Sequence, residues 1–187
     1  AWLDAVRIVA VNVTSVVTTT GFALGDYTTW GSFAVLLFFY LTFVGGCSGS
    51  TSGGLKIFRF QVAYVLLKAN LQQLIHPRAV IKQQYNNHNL DEDIVRSLIT
   101  FSFFFAITIA LIALGITLTG VDWVTALTGA ATAVCNVGPG LGPVIGPAGN
   151  FSTLPDAAKW LLTIGMLLGR LEILTVLVLF TRVFWKH

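Results

Sequence analysis

The apolar stretches of the chain differ in length, and their lengths predict different elements. A membrane-spanning helix needs about 20 mostly apolar residues. Residues 98–118 meet this requirement without a charge, and residues 160–181 meet it with Arg170 near their middle. The stretches 4–17 and 122–134 are apolar but too short to span, which is typical of re-entrant or interfacial helices between spans.

The uncharged region before the polar centre of the chain changes character halfway. Residues 31–44 are strongly apolar, whereas residues 45–54 (GGCSGSTSGG) favour flexible, non-helical backbone. Residues 55–75 are amphipathic, and we expect a helix that ends at His76, because a residue before proline disfavours the helical conformation. The polar residues 77–92 predict an aqueous linker, whose acidic end suits the start of the next helix.

Composition and charge favour a membrane protein and exclude most soluble functions. Of the 187 residues, 55% are hydrophobic and only 10% are charged, whereas an average soluble domain has about 25% charged residues. Basic residues concentrate in 55–96 and at the C-terminus, so the positive-inside rule places the linker 77–92 and the C-terminus in the cytoplasm. The net charge of +3 is too dispersed for a nucleic-acid surface.

The sequence offers little for catalysis or metal binding. Cys47 and Cys135 are too few for a disulfide framework. His76, His88 and His187 lack the spacing of metal ligands. Since no nucleophile–base pair is visible either, we expect no enzyme, no resident metal and no organic cofactor.

One pattern occurs twice: a short apolar segment, a polar turn with a glycine, and a long helix. The first turn is 18–22 and the second is 135–139. Non-helical backbone at membrane depth is tolerated where it lines a water-filled path, and carbonyl oxygens that point into the path can replace a cation's hydration shell. The repeat therefore predicts a cation pathway. Two such units cannot enclose a pore, and the first unit lacks its opening helix. We therefore expect the chain to form half of a pore.

Five segments carry a more specific resemblance: TTTGF at 18–22, GGCSGSTSGGLK at 45–56, IHPRAV at 75–80, NVGPGLG at 136–142 and GMLLGRLE at 165–172. In this order and spacing they resemble the membrane subunit of the Trk/Ktr/HKT potassium transporter superfamily, most closely the TrkH type. The resemblance extends over essentially the whole chain.

The resemblance implies an all-α, polytopic membrane protein built of repeats of helix, re-entrant pore helix, filter loop and helix. Residues 1–76 would end the third repeat, residues 77–92 would form the cytoplasmic linker, and residues 93–187 would form the fourth repeat. The remaining N-terminal half of the same transporter would complete the pathway. The family also implies a homodimer in the lipid bilayer of the bacterial inner membrane and a cytosolic, TrkA-like nucleotide-binding ring as partner.

The same resemblance assigns the site residues. Potassium would be the transported ligand, held at a filter formed by Thr19, Thr20, Gly21, Asn136, Val137 and Gly138. An intramembrane gate with few large side chains to hold it in place would comprise Gly45, Gly46, Ser48, Gly49, Ser50, Gly53 and Gly54. Arg170 would face the path as a barrier to cations. Glu172 faces away from Arg170 on a helix and is a weaker candidate.

These features predict potassium uptake through a carbonyl-lined filter, with gating by the loop and by a cytosolic subunit. Two alternatives stay open: a Ktr- or HKT-like protein that also carries sodium, and a non-conducting structural or sensor subunit. The sequence leaves open whether transport is channel-like or coupled to protons.

Overall fold

The computed structural model describes residues 2–77, 82, 84–86, 88–171, 173–179 and 184–186. These residues form mostly helix, as the sequence predicts. The α-helices are α1 (Trp2–Val17), α2 (Ser32–Phe43), α3 (Ile57–Ile75), α4 (Glu92–Thr117), α5 (Trp123–Cys135), α6 (Asp156–Arg170) and α7 (Ile173–Leu179). Short 3₁₀ segments cover Tyr27–Trp30, Phe151–Thr153 and Phe184–Lys186.

The linker contains a small hairpin that the all-α expectation missed. Strand β1 (Gln84–Tyr85) pairs with the antiparallel strand β2 (His88–Asn89). Asn86 turns the chain between them with a φ of 51°, a left-handed conformation that asparagine tolerates better than most residues. The Tyr85 hydroxyl donates to Gln61 on α3 over 2.6 Å, so the hairpin contacts that helix.

Within the described residues, α4 is the one helix long and apolar enough to cross a membrane, with a mean hydropathy of 2.5 over its most apolar window. It begins at Glu92, within the acidic stretch where the sequence predicts its start, because acidic residues in the first turn suit the helix dipole. One face of α4 is buried, and it carries Phe101, Phe105, Ile109, Ile112 and Ile116. These positions recur with helical spacing and face the rest of the core.

The short helix α5 is the centre of the packing. It contacts α4, α6 and α2, and all its residues from Thr128 to Cys135 are buried. Its side chains are small, which lets neighbouring helices approach its backbone closely. The second turn therefore emerges from the most enclosed element that the structure describes.

The predicted helix over 160–181 is wrong, because α6 ends at Arg170 and α7 starts only at Ile173. Leu171 between them has a φ of −87° and a ψ of 11°. Gly169, in the last turn of α6, packs directly against the end of α5, since a Cβ atom there would lie 1.8 Å from the Val134 carbonyl oxygen. Glycine also weakens a helix relative to alanine. Glu172 lies outside the described residues.

Each turn is followed by a capped 3₁₀ segment that returns the chain to a helix. The Asp26 carboxylate accepts from the Thr28 N–H, and the Asn150 side chain accepts from the Ser152 N–H, each over 2.9 Å. Tyr27 stacks on Phe38 with ring centroids 4.0 Å apart. Burial and, to a smaller extent, the neighbouring Asp26 raise the pKa of Tyr27 to about 12.

We expect Gly169→Ala to lower the unfolding free energy of the full-length protein by about 1–3 kcal/mol, as overpacking does elsewhere. The added methyl group would meet backbone that cannot move aside. Gly115→Ala is the matched control, because a Cβ at Gly115 meets only the end of the Leu161 side chain. Thermal unfolding in detergent measures both variants, and equal melting temperatures would contradict the role of Gly169.

Candidate functional site: two glycine turns and a glycine-rich loop

The two turns have the same backbone conformation. Thr19 and Asn136 are left-handed, with φ of 54° and 55°, and the glycines two residues later, Gly21 and Gly138, have φ of 83° and 120°. The hydrogen bonds match as well. The Thr20 N–H donates to the Ser15 carbonyl over 2.8 Å, and the Val137 N–H donates to the Thr132 carbonyl over 3.0 Å.

The segment after each turn is also held in the same place. In the first copy, the buried Asn12 side chain accepts from the Leu24 N–H and donates to the Leu24 carbonyl, over 2.8 and 2.9 Å. In the second copy, the Thr128 hydroxyl accepts from the Leu141 N–H over 3.2 Å and shares its own proton between the carbonyls of Val124, at 2.8 Å, and Leu141, at 3.3 Å. The Asn12 amide in the first repeat thus has the role that the Thr128 hydroxyl has in the second.

The support behind the two glycines differs. The Gly138 N–H donates to the Thr132 hydroxyl over 3.0 Å. The Gly21 N–H reaches only the Ser15 carbonyl, at 3.4 Å, and the buried Ser15 hydroxyl has no hydrogen-bond partner among the described residues. Sequence reasoning missed both supporting residues, although the constant spacing between the two repeats pairs Ser15 with Thr132.

The two turns meet at their glycines. A Cβ atom at Gly21 would lie 2.3 Å from the Val137 carbonyl oxygen, and one at Gly138 would lie 3.7 Å from the Gly21 Cα atom. Gly21 is therefore required both by its positive φ and by close packing, whereas Gly138 is required by its φ alone.

Four carbonyl oxygens of the turns are unused. No hydrogen bond among the described residues is accepted by the carbonyls of Thr19, Thr20, Asn136 or Val137. The turns also follow the C-terminal ends of α1 and α5, where the helix dipole carries partial negative charge. This arrangement suits a cation.

The glycine-rich loop, residues 45–54, follows α2 and is ordered by its own hydrogen bonds. The Leu55 N–H donates to the Phe43 carbonyl over 2.9 Å, and the Gly45 N–H donates to the Leu55 carbonyl over 2.8 Å. The Ser52 hydroxyl accepts from the Gly46 N–H over 2.8 Å and lies 2.7 Å from the Ser50 hydroxyl. The loop lacks bulky anchors, as predicted from its composition, but polar contacts hold it instead.

The loop contacts both turns at one residue. The Gly53 N–H donates to the Thr19 hydroxyl over 3.1 Å. A Cβ atom at Gly53 would lie 2.0 Å from the Cys135 carbonyl oxygen. Gly45 is buried like Gly53, whereas Ser48 and Gly49 form the exposed tip of the loop.

Two positively charged side chains bind the loop backbone. The Arg170 guanidinium donates to the Thr51 carbonyl over 2.6 Å. The Lys56 ammonium donates to the carbonyls of Ser50 and Ser52, at 3.0 Å for the latter. A cavity of about 250 Å³ separates the loop from the end of α6, and it is lined by residues 50–54 together with Lys56, Arg59, Phe101, Gly169 and Arg170.

The structure predicts that Thr132→Val exposes the Gly138 N–H, because valine cannot accept its hydrogen bond. Loss of one such bond corresponds to about 1 kcal/mol, so the amide should exchange with solvent several-fold faster. Thr132→Ser keeps the hydroxyl and is the control. Hydrogen–deuterium exchange on peptides that contain Gly138 measures the effect, and equal exchange in the two variants would refute this support.

The chain matches known proteins along nearly its whole length. A family profile for TrkH, described as a cation transport protein, matches residues 4–186. The Trk system potassium uptake protein TrkI of Halomonas elongata is 66% identical over 179 residues, which cover 96% of this chain and 36% of that protein. TrkH of Escherichia coli K12 is 39% identical over 175 residues, which cover 94% of this chain and 36% of that protein.

A solved structure agrees with these relatives. The crystal structure of the potassium transporter TrkH from Vibrio parahaemolyticus matches with a TM-score of 0.83 and 36% identity, over 91% of this chain and 36% of that one. The chain thus spans about a third of the length of the proteins that it matches. Its sequence, its fold and the order of its motifs show that the chain belongs to the TrkH family of cation transport proteins.

Proposed function

We propose that the chain is the C-terminal part of a transporter that takes up potassium across the bacterial inner membrane. The observation that carries the proposal is the meeting of two equivalent turns whose four carbonyls accept no hydrogen bond among the described residues. Carbonyl rings replace the hydration shell of a potassium ion in selective pores. The two remaining turns would come from the N-terminal part of the same transporter.

The surface of the chain supports a lipid environment. Large apolar side chains stand exposed on several helices, for example Phe33, Leu118 and Trp160, which are 79%, 89% and 70% exposed. Large exposed apolar surfaces of this kind are typical of proteins that contact a membrane or another chain. Lipid and the rest of the transporter would cover it, with α1 and α5 as re-entrant pore helices and the linker and C-terminus in the cytoplasm.

Regulation would act on the glycine-rich loop. In the proposed closed state, Arg170 and Lys56 hold the loop backbone, and Gly53 rests against both turns. A homodimeric arrangement with a TrkA-like nucleotide-binding ring on the cytoplasmic side would supply the force that moves the loop. The chain itself would need no organic cofactor and would do no enzymatic chemistry.

Gly138→Ser tests the filter. We expect the full-length transporter to lose selectivity for potassium over sodium, because serine is strained at a φ of 120° and the turn would relax. Gly138 is a better probe than Gly21, since an added Cβ has room there. Fluxes of rubidium and sodium into proteoliposomes measure the change.

Gly142→Ser is the matched control for the filter. Gly142 also has a positive φ, of 95°, and nothing lies within 4 Å of an added Cβ, but it lies beyond the turn. We expect its rubidium-to-sodium flux ratio to equal that of the wild type. An unchanged ratio in Gly138→Ser would overturn the filter assignment. A wild type that carries both ions equally would favour a potassium/sodium transporter, and a folded wild type without flux would favour a non-conducting subunit.

Arg170→Gln tests the gate. The wild-type charge would repel a cation in the path, by roughly 2 kcal/mol for two unit charges about 8 Å apart at an effective dielectric of about 20. It also holds the loop through Thr51. Both effects oppose flux, so the variant should conduct at least about tenfold faster, since about 1.4 kcal/mol corresponds to a factor of ten. Arg170→Lys should be intermediate, because lysine lacks the planar fork of donors.

Lys159→Gln controls for the loss of one positive charge on the same helix. Lys159 pairs with Asp156 over 3.1 Å at the other end of α6, and such exposed pairs contribute little to stability. We expect its potassium flux per folded protein to match that of the wild type. A uniform loss of flux across the Arg170 variants would show that Arg170 is structural.

A further inference from the structure

Three consecutive carbonyl groups of the loop point to positive charges. Arg170 donates to the middle carbonyl, that of Thr51, and the Lys56 ammonium donates to the carbonyls on either side, those of Ser50 and Ser52. The residues that line the adjoining cavity include no carboxylate. Backbone dipoles of the loop are therefore the negative groups that face the Lys56 ammonium from that side, whereas Asp93 at the start of α4 lines a second cavity together with Lys56.

The two charged groups differ in what they can imitate. A guanidinium is planar and binds through a fixed fork of donors, whereas an ammonium is a compact point charge. An ammonium resembles a potassium ion in charge and in size. A pair of converging carbonyl oxygens is also the ligand type that replaces the hydration shell of potassium.

We infer that the carbonyls of Ser50 and Ser52 form a binding site for a bare monovalent cation of potassium's size, which the Lys56 ammonium fills in this conformation. The inference rests on the proposed function and adds a cation site apart from the two turns. Lys56 acts there as a tethered ion. It holds the loop in place at any potassium concentration, and its withdrawal leaves a site that a permeating ion can enter.

The site is tested by replacing the ammonium and locating ions in the full-length transporter. Crystals of wild type, Lys56→Met and Lys56→Ala are soaked in rubidium, and anomalous scattering gives the ion positions. We expect rubidium at the Ser50 and Ser52 carbonyls in at least one of the two variants, at an occupancy comparable with that at the turns. The wild type should show rubidium at the turns and none at the loop.

Lys68→Met is the matched control. Lys68 is an exposed residue of α3, the helix that begins directly after Lys56. It lies about 18 Å along that helix at 1.5 Å per residue, so its loss should add no ion at the loop. This inference alone would be overturned if both Lys56 variants bound rubidium at the turns and none at the loop, whether or not the loop stays ordered. Rubidium beside Lys56 in the wild type would also overturn it. Absence of rubidium from the turns of a folded wild type would instead overturn the proposed function.

Discussion

Backbone that leaves a helix inside a membrane must find partners for its N–H and carbonyl groups, and the fold of this chain follows from that requirement. In both turns, the N–H groups bond to the short helix behind them, through Ser15 and Thr132. The carbonyls of Thr19, Thr20, Asn136 and Val137 accept no hydrogen bond among the described residues. Water or an ion would satisfy those oxygens, so the arrangement that satisfies the donors also leaves the ligands of the proposed cation site.

The same requirement shapes the loop. Its N–H groups are used by serine hydroxyls and by Thr19, and its carbonyls are met by Lys56 and Arg170. Because Gly53 contacts one turn by a hydrogen bond and the other by close packing, movement of the loop must alter the surroundings of both turns. The proposed gate and the proposed filter are thus neighbours that share contacts. Under that proposal, a regulatory subunit that moved the loop would act on the turns directly, without a longer route through the protein.

Much of this organisation could be predicted from the sequence, because it depends on local length and composition. The short helices, the glycine turns and α4 follow from the apolar stretches and the glycines between them. The break after Arg170 could not be predicted, since residues 160–181 are apolar enough for one continuous helix and contain no proline. The contact of the Tyr85 hairpin with Gln61 joins separate segments of the chain and was missed for that reason. Lys56 reaches carbonyls only four and six residues away, but the folded path of a glycine-rich loop does not follow from its composition. Thr132 is one of several threonines in α5, and the sequence does not distinguish it. Only the fold brings its hydroxyl within hydrogen-bond distance of the Gly138 N–H.

The most direct test of the account asks whether an ion touches the turn carbonyls. In the full-length transporter, the Val137 carbonyl is labelled with ¹³C and ¹⁸O, and its infrared band is recorded in potassium and then in sodium. The Leu141 carbonyl, which accepts a hydrogen bond from Thr128, is labelled separately as the control. The account predicts that exchanging the ion shifts the Val137 band and leaves the Leu141 band unchanged. A Val137 band that is the same in both ions, in protein that still transports potassium, would contradict it.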